Sequence, residues 1–302
     1  MTVGELGEFG IIARITARLA PGPAVELGPG DDAAIVAAPG GRVVATTDVL
    51  VEGRHFRRDW SPPYDIGRKA AAQNLADVVA MGARPTALLV GLGVPPDTDV
   101  AWVEALCDGM RDESAQVEAS IAGGDIVRAD TVLISVTALG ALDGPPLTRA
   151  GARPGDVVAV CGRLGHAQAG VELLERGLRE PAALVGAHRR PRPPYAAALR
   201  ARELGATAML DVSDGLVQDL GHIAEASGVR IELVGDAVPG PPVPDARRLA
   251  LTGGEDHAFA ATFPQEAALP AEWQVIGRAV AGPAGVTVDG RPYGAGGWDH
   301  FH

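Results

Sequence analysis

The spacing of apolar and polar positions changes along the chain, and the changes mark out its elements. Residues 3–20 mix acidic and apolar side chains at helical spacing and stop at Pro21-Gly22-Pro23. Two short β-type runs follow, Ala33–Ala37 and Arg42–Thr47, joined by a turn at Pro39-Gly40-Gly41. Tyr64–Met81 reads as a helix closed by Gly82 and Pro85, and it leads into an apolar strand over Ala87–Val94. A helix over Asp99–Glu113 and strands near Val117–Ala122 and Thr131–Leu139 complete a first block. A second block opens after Gly144 with the turn at 151–156 and the strand Val157–Cys161, then helical segments on either side of Pro191–Pro194. Strand, helix and strand are expected at Ala208–Leu210, Leu216–Ala226 and Val229–Leu233, with further strands at Ala258–Thr262, Gln274–Ile276 and Val286–Val288. Strands alternating with helices predict an α/β or α+β protein, with two domains over 1–143 and 144–302 and a boundary between about 138 and 149.

Composition narrows the partners. With 38 acidic against 26 basic residues, the net charge of -12 opposes a nucleic-acid backbone as the main ligand. Cys107 and Cys161 are the only 2 cysteines and lack metal-ligand spacing, so neither a disulfide scaffold nor a zinc site is expected. No apolar run is long enough to span a membrane and no cationic leader precedes an apolar core, which gives a cytoplasmic setting as the expectation.

The candidate chemistry is a series of acidic residues beside glycines and apolar runs: Asp31-Asp32, Asp48, Asp77, Asp125, Asp211 with Asp214, and Glu255-Asp256. One such Asp is ordinarily a turn former or a helix cap. Six places in one chain point instead to hard cations, because magnesium joins carboxylates to nucleotide phosphates and gathered carboxylates repel without it. Asp77 lies on an apolar helix with Asn74 on the same face, and it reads either as half of a self-satisfied polar pair or as a metal ligand. The P-loop run, the dinucleotide fingerprint and the protein-kinase elements are all missing, so any nucleotide is held by another architecture.

In order along the chain stand GPGDDAA at 28–34, TTDVLVEGRHF at 46–56, GRKAAAQNLADVVAMGARP at 67–85 and GGD at 123–125. LTRAGARPGD at 147–156, DVSDGL at 211–216, LTGGEDHAF at 251–259 and GGWDHF at 296–301 follow. This ordered set resembles the thiamine-monophosphate kinases, of the superfamily that includes aminoimidazole ribonucleotide synthetase. The resemblance implies a two-domain fold with a mixed-sheet N-terminal domain for ATP, magnesium and dimerisation, and an α/β C-terminal domain that completes the sites. It implies ATP-dependent phosphorylation of thiamine monophosphate by a homodimer whose N-terminal strands combine across the interface. Carried over residue by residue, it makes Asp31, Thr46, Thr47, Asp48, Asp77, Asp125, Asp211 and Asp214 magnesium ligands, through carboxylate, hydroxyl or backbone oxygen. Gly124, Asp125, Arg149 and Ser213 then contact ATP, and His55, Glu255 and Trp298 contact thiamine phosphate. Asp125, Ser213 and Asp214 stand nearest the transfer itself, while Asp32 fits a loop-supporting role, and Arg68 and Lys69 read either as helix-face charges or, from their place on the Asp77 helix, as a phosphate contact.

The chain departs from the family pattern at Ala76, where a serine is usual, at His257-Ala258 for a common Tyr-Glu pair, and at Arg54 for a small apolar residue. Two other classes of function remain open to the sequence. One is a related ATP-dependent synthetase or maturation enzyme with a different acceptor, and the other is a nucleotide-binding regulator without turnover.

Overall fold

The computed structural model describes residues 1–6, 8–20, 22–27 and 35–293. The chain divides into two compact units, one of Met1–Val78 with Ala83–Gly144 and one of Val79–Gly82 with Pro145–His302.

The first unit begins with helices α1 (Val3–Leu6) and α2 (Glu8–Thr16) and a small antiparallel pair, β1 (Val25–Leu27) and β2 (Ile35–Val36). Its main sheet has four strands: β3 (Val43–Val51), β4 (Arg84–Val94), β5 (Ser120–Arg128) and β6 (Leu133–Ala141). Their order is β3-β6-β4-β5, antiparallel except for the parallel pair β4–β5. Helix α3 (Pro63–Ala80) buries Ala70, Leu75 and Val78 completely, each larger side chain stabilising the unit by about 1.5–3 kcal/mol. Helix α4 (Val100–Ser114) starts at an Asp99 cap, whose side chain accepts from the Ala101 N–H at 3.0 Å. The two helices meet at reciprocal glycines. A Cβ on Gly67 would stand 2.0 Å from the Leu106 carbonyl oxygen, and one on Gly109 2.0 Å from that of Tyr64.

The opposite face of this sheet is open and partly apolar. Val43, Val49, Leu89, Val127 and Leu133 are all exposed there. Strand alternation puts Thr47 and Thr137 among them, joined hydroxyl to hydroxyl at 3.1 Å.

The second unit carries a seven-stranded sheet, β13-β12-β9-β11-β7-β10-β8. Its strands are β7 (Val157–Cys161), β8 (Ala208–Val212), β9 (Arg230–Leu233), β10 (Ala258–Phe263), β11 (Trp273–Val280), β12 (Gly285–Val288) and β13 (Arg291–Pro292). Only β12–β9 is a parallel pair. The helices are α5 (His166–Glu175), α6 (Ala182–Arg189), α7 (Tyr195–Leu199), α8 (Leu216–Ser227) and α9 (Ala246–Thr252). The apolar face of α8, with Leu216, Leu220 and Ile223 fully buried, packs with Val158, Leu210, Ile231 and Ala260 from the sheet to form the core.

Three expectations change. Strand β3 runs four residues past Thr47 and takes in Asp48, and Gly123-Gly124-Asp125 lies inside β5 rather than in a turn. The second glycine is there because a Cβ on Gly124 would meet the Val90 carbonyl oxygen at 2.1 Å, so β5 can approach β4 only without one. Helix α9 and the two-residue β13 were not foreseen, both being too short to show a period.

Candidate active site

In the first unit, the edge strand β3 and helix α3 bring polar groups together. The Thr46 hydroxyl donates to Asp77 Oδ2 at 2.8 Å, and the Asp48 N–H donates to Asn74 Oδ1 at 3.1 Å. That amide points away from the sheet because β3 has a partner on one side only. Asn74 is fully buried and its Nδ2 donates to the Ala70 carbonyl at 3.0 Å, so its role is to join helix to strand. Asp77 is half-buried and opens toward Thr46. Thr46 and Asp48 therefore share the α3 side of the strand. Thr47 points to the open face, where its hydroxyl donates to the Val136 carbonyl at 3.1 Å. A magnesium role for Thr47 beside Asp77 is thus restricted to its main chain.

Asp125 is exposed, and its Oδ1 accepts from the following Ile126 N–H at 2.9 Å. Register through Gly91 and Ser135 to Val49 puts its side chain on the open face. It lies three strand positions and two residues of register from Thr47, a separation on the order of 16 Å. Beneath Gly124 and Asp125 is a cavity of about 110 Å³ walled by Ile12, Leu19, Val90, Leu106 and Cys107 among others. Burial pushes the Cys107 thiol up to about 11.

Past the end of β3, the turn Glu52–Phe56 carries His55. The ring is held at Nδ1, which accepts from the Val51 N–H at 3.0 Å. Lys69, which the sequence presents as a surface charge of α3, is instead 2 % exposed and donates to the His55 carbonyl at 3.1 Å.

In the second unit, β8 ends in Asp211, and Ser213-Asp214-Gly215 turn the chain into α8. Asp219, in the first turn of α8, reaches back to accept from the N–H groups of Asp214 at 3.1 Å and Gly215 at 3.0 Å. Burial pushes its carboxyl up to about 7, and the charges of Asp211 and Asp214 add to the shift. Against this turn lies the segment 253–257. The Glu255 N–H donates to the Ser213 carbonyl at 2.7 Å and the His257 N–H to that of Val212 at 3.0 Å. A Cβ on Gly254 would come within 2.5 Å of the Ser213 oxygen. Glu255 and His257 both adopt left-handed backbone, φ 65° and 51°, a conformation that costs a non-glycine residue of order 1 kcal/mol or more.

Between these two strained residues, Asp256 is buried and accepts from the N–H groups of Gly165 at 2.5 Å and Ala167 at 2.9 Å, capping α5 from a distance in sequence. Burial nonetheless pushes its carboxyl up to about 7. The His257 Nδ1–H faces Asp211 Oδ2 at 3.0 Å, and His188 Nδ1 lies 3.9 Å from Glu255 Oε2. Arg149 is exposed, and its carbonyl accepts from the Ser227 hydroxyl at 3.0 Å.

The structure thus joins Asp211, Ser213, Asp214 and Glu255 in one assembly, and Thr46, Asp48 and Asp77 in another. Asp31, Asp32 and Trp298 lie outside the described residues. Sequence reasoning missed Asp219 and gave Asp256 no role. Asp219 carried the signal of an acidic residue in the first turn of a predicted helix, and Asp256 stood unassigned beside Glu255.

Among the described residues, no three His, Cys, Asp or Glu side chains converge on one metal position. Thr46 and Asp77 give a hydroxyl–carboxylate pair at 2.8 Å, which fits magnesium: it characteristically takes one or two carboxylates and completes its shell with phosphates and water. The mutual repulsion of Asp211, Asp214 and Asp219 fits a cation there as well.

The domain models of the AIR synthase related proteins match residues 30–142 for the N-terminal domain and 153–289 for the C-terminal domain. The thiamine-monophosphate kinase of Mycobacterium tuberculosis is 48% identical, across 99% of this chain and 93% of its own. That of Aquifex aeolicus is 36% identical over 100% of both chains. Among solved structures, AaThiL complexed with AMPPCP and TMP superposes with a TM-score of 0.83 at 36% identity, covering 100% of this chain and 99% of that one. The hydrogenase maturation protein HypE in complex with ATP shares the fold alone, at 22% identity and a TM-score of 0.75 over 92% of this chain and 91% of its own. The two-domain α/β architecture expected from the sequence is borne out, and the chain belongs to the thiamine-monophosphate kinase family.

Proposed function

We propose that the protein transfers the γ-phosphate of ATP to thiamine monophosphate, giving thiamine diphosphate and ADP by direct in-line attack. The observation that carries this reading is the fusion of the Asp211–Gly215 turn with the Gly253–His257 segment. A group suited to phosphate and cation (Ser213, Asp214, Asp211) and a group suited to a cationic acceptor (Glu255) are held at fixed separation by two main-chain hydrogen bonds. Transfer between two anionic phosphates demands positioning and charge neutralisation more than proton removal, since the acceptor oxygen is already ionised. No phosphoenzyme is needed.

Ser213 and the N–H groups at the start of α8 guide the transferred phosphoryl, with Arg149 as a second ATP contact. Gly124 and Asp125 border the apolar cavity, which suits the base of ATP. Magnesium would be held by Asp211 and Asp214 in one unit and by Asp48, Asp77 and Thr46 in the other, with Asp125 and Asp31 as further ligands. When bound, it supplies positive charge to the phosphates. His55 and Glu255, with Trp298, bind thiamine phosphate.

The open face of the four-stranded sheet, with five exposed Val and Leu side chains, suits pairing with a second copy of the chain. No helix among the described residues is long and apolar enough to cross a membrane, and the reading places the enzyme in the cytoplasm with its ATP. The test is ADP release with a panel of acceptors. Release that needs both magnesium and thiamine monophosphate supports the reading, and equal release without acceptor refutes it.

A further inference from the structure

The peptide plane between Ser213 and Asp214 is held from both of its edges. The bond is trans, so its N–H and C=O point in opposite directions. On one side the Asp214 N–H donates to Asp219 Oδ2 at 3.1 Å, and on the other the Ser213 carbonyl accepts from the Glu255 N–H at 2.7 Å. One rigid plane thus stands between the side chain of Asp219 and the main chain of Glu255.

Asp219 is built into a firm support. It is 4 % exposed and lies in the first turn of α8, whose Leu216 and Leu220 are fully buried. The same Oδ2 accepts from the Gly215 N–H at 3.0 Å, while the Asp219 N–H donates back to the Gly215 carbonyl at 2.9 Å. Gly215 takes φ 127°, and a Cβ there would come within 2.8 Å of the Thr252 oxygen, so the end of α9 closes the other side of the turn. Glu255 in turn depends on the plane. Its left-handed backbone, φ 65°, is a conformation that persists only where its surroundings fix it, and its N–H bond to Ser213 is one of those fixings.

We propose that Asp219 is a positioning residue for phosphoryl transfer: through the Ser213–Asp214 peptide it sets the separation between the turn that holds the donor phosphate and the segment that holds the acceptor. It acts on the main chain and touches neither substrate. The inference rests on the reading of these two segments as the ATP side and the acceptor side of one site.

Asp219→Ala removes the acceptor oxygen, while Asp219→Asn keeps one for both N–H groups. The His257 bond to Val212 and the Asp256 bonds to Gly165 and Ala167 remain in both variants and keep the segment folded. A loss of alignment between two substrates that keep their own contacts falls on kcat: in Asp219→Ala it should drop by about tenfold or more, with both KM values within about threefold. Asp219→Asn should restore kcat to within about threefold of wild type. Amide hydrogen exchange followed by NMR should show Glu255 exchanging about tenfold faster in Asp219→Ala and near the wild-type rate in Asp219→Asn. In the wild type itself the amides of Asp214, Gly215 and Glu255 should open as one unit, with protection alike to within about threefold, a measurement that decides the matter even where Asp219→Ala fails to fold. A folded Asp219→Ala with lower thermal stability but unchanged kcat and Glu255 exchange would make Asp219 a helix cap only and overturn the role. Glu255 opening independently of Asp214 and Gly215 in the wild type would overturn it too. Absence of thiamine diphosphate from the wild-type protein overturns the kinase reading and this role with it, whereas normal wild-type turnover with an unmoved kcat in Asp219→Ala overturns the role of Asp219 alone.

Discussion

Asp256 joins two opposing forces on one carboxyl, and Asp256→Asn tests which of them governs. Burial raises its pKa from 3.8 to about 7, while the N–H groups of Gly165 and Ala167 pull the other way. A carboxyl whose folded pKa is raised favours the folded state most when protonated. Its contribution is therefore complete below the unfolded pKa and is lost as pH rises through the folded one. The full loss is roughly 4 kcal/mol, from a shift of about three units at 1.36 kcal/mol each. The carboxamide of the variant keeps an oxygen for one N–H and cannot ionise, so its stability should not change with pH through this group. Urea unfolding of both proteins between pH 4 and pH 8, followed by circular dichroism, isolates the difference, since Asp219 titrates equally in each. Wild type should lose ground to the variant as pH rises, over the window from about 4 to about 7. A gap that stays constant, or moves in favour of the wild type, would show that the two N–H bonds keep the carboxylate ionised and that burial is the lesser effect.

Other consequences are quicker to check. Gly254→Ala sets a methyl 2.5 Å from the Ser213 oxygen and should part the two loops, lowering kcat by at least about tenfold in a protein that still shows native circular dichroism. Unchanged kcat would mean that the fused loops are not needed for transfer. Thr46→Val removes the hydroxyl from Asp77 and should raise the magnesium concentration for half-maximal activity severalfold, read by metal titration, with KM for ATP at saturating metal little altered. Burial holds both thiols at about 11, so at pH 8 only about one in a thousand is ionised. A disulfide exchange reagent should react slowly with the native enzyme and rapidly with 2 thiols in denaturant.

Much of this architecture is legible in the residues because periodicity reports burial. Helices α3, α4 and α8 and strand β7 fall within a residue or two of their expected bounds, each having a long apolar stripe or a continuous apolar run. The misses have specific causes. Strand β3 continues through Asp48 because an edge strand can offer that N–H to Asn74, a tertiary contact that a lone Asp after Thr-Thr does not announce. The glycines of β5 look like a turn but serve close strand approach. Lys69 reads as a surface charge because the polarity of a side chain says nothing of what lies over it.

The site shows the same division. Which acids matter is visible from their ordered motifs, but not which face each one occupies. Alternation separates Thr47 from Asp48, and a left-handed backbone at Glu255 and His257 has no signature in their side chains.

The central claim is a single phosphoryl transfer from ATP to thiamine monophosphate, and phosphorus NMR of the complete reaction tests it most directly. Purified protein with magnesium, ATP and thiamine monophosphate should yield thiamine diphosphate and ADP in equal amounts, with neither formed when magnesium is withheld. ADP with inorganic phosphate and no thiamine diphosphate, from folded protein supplied with metal, would contradict the account.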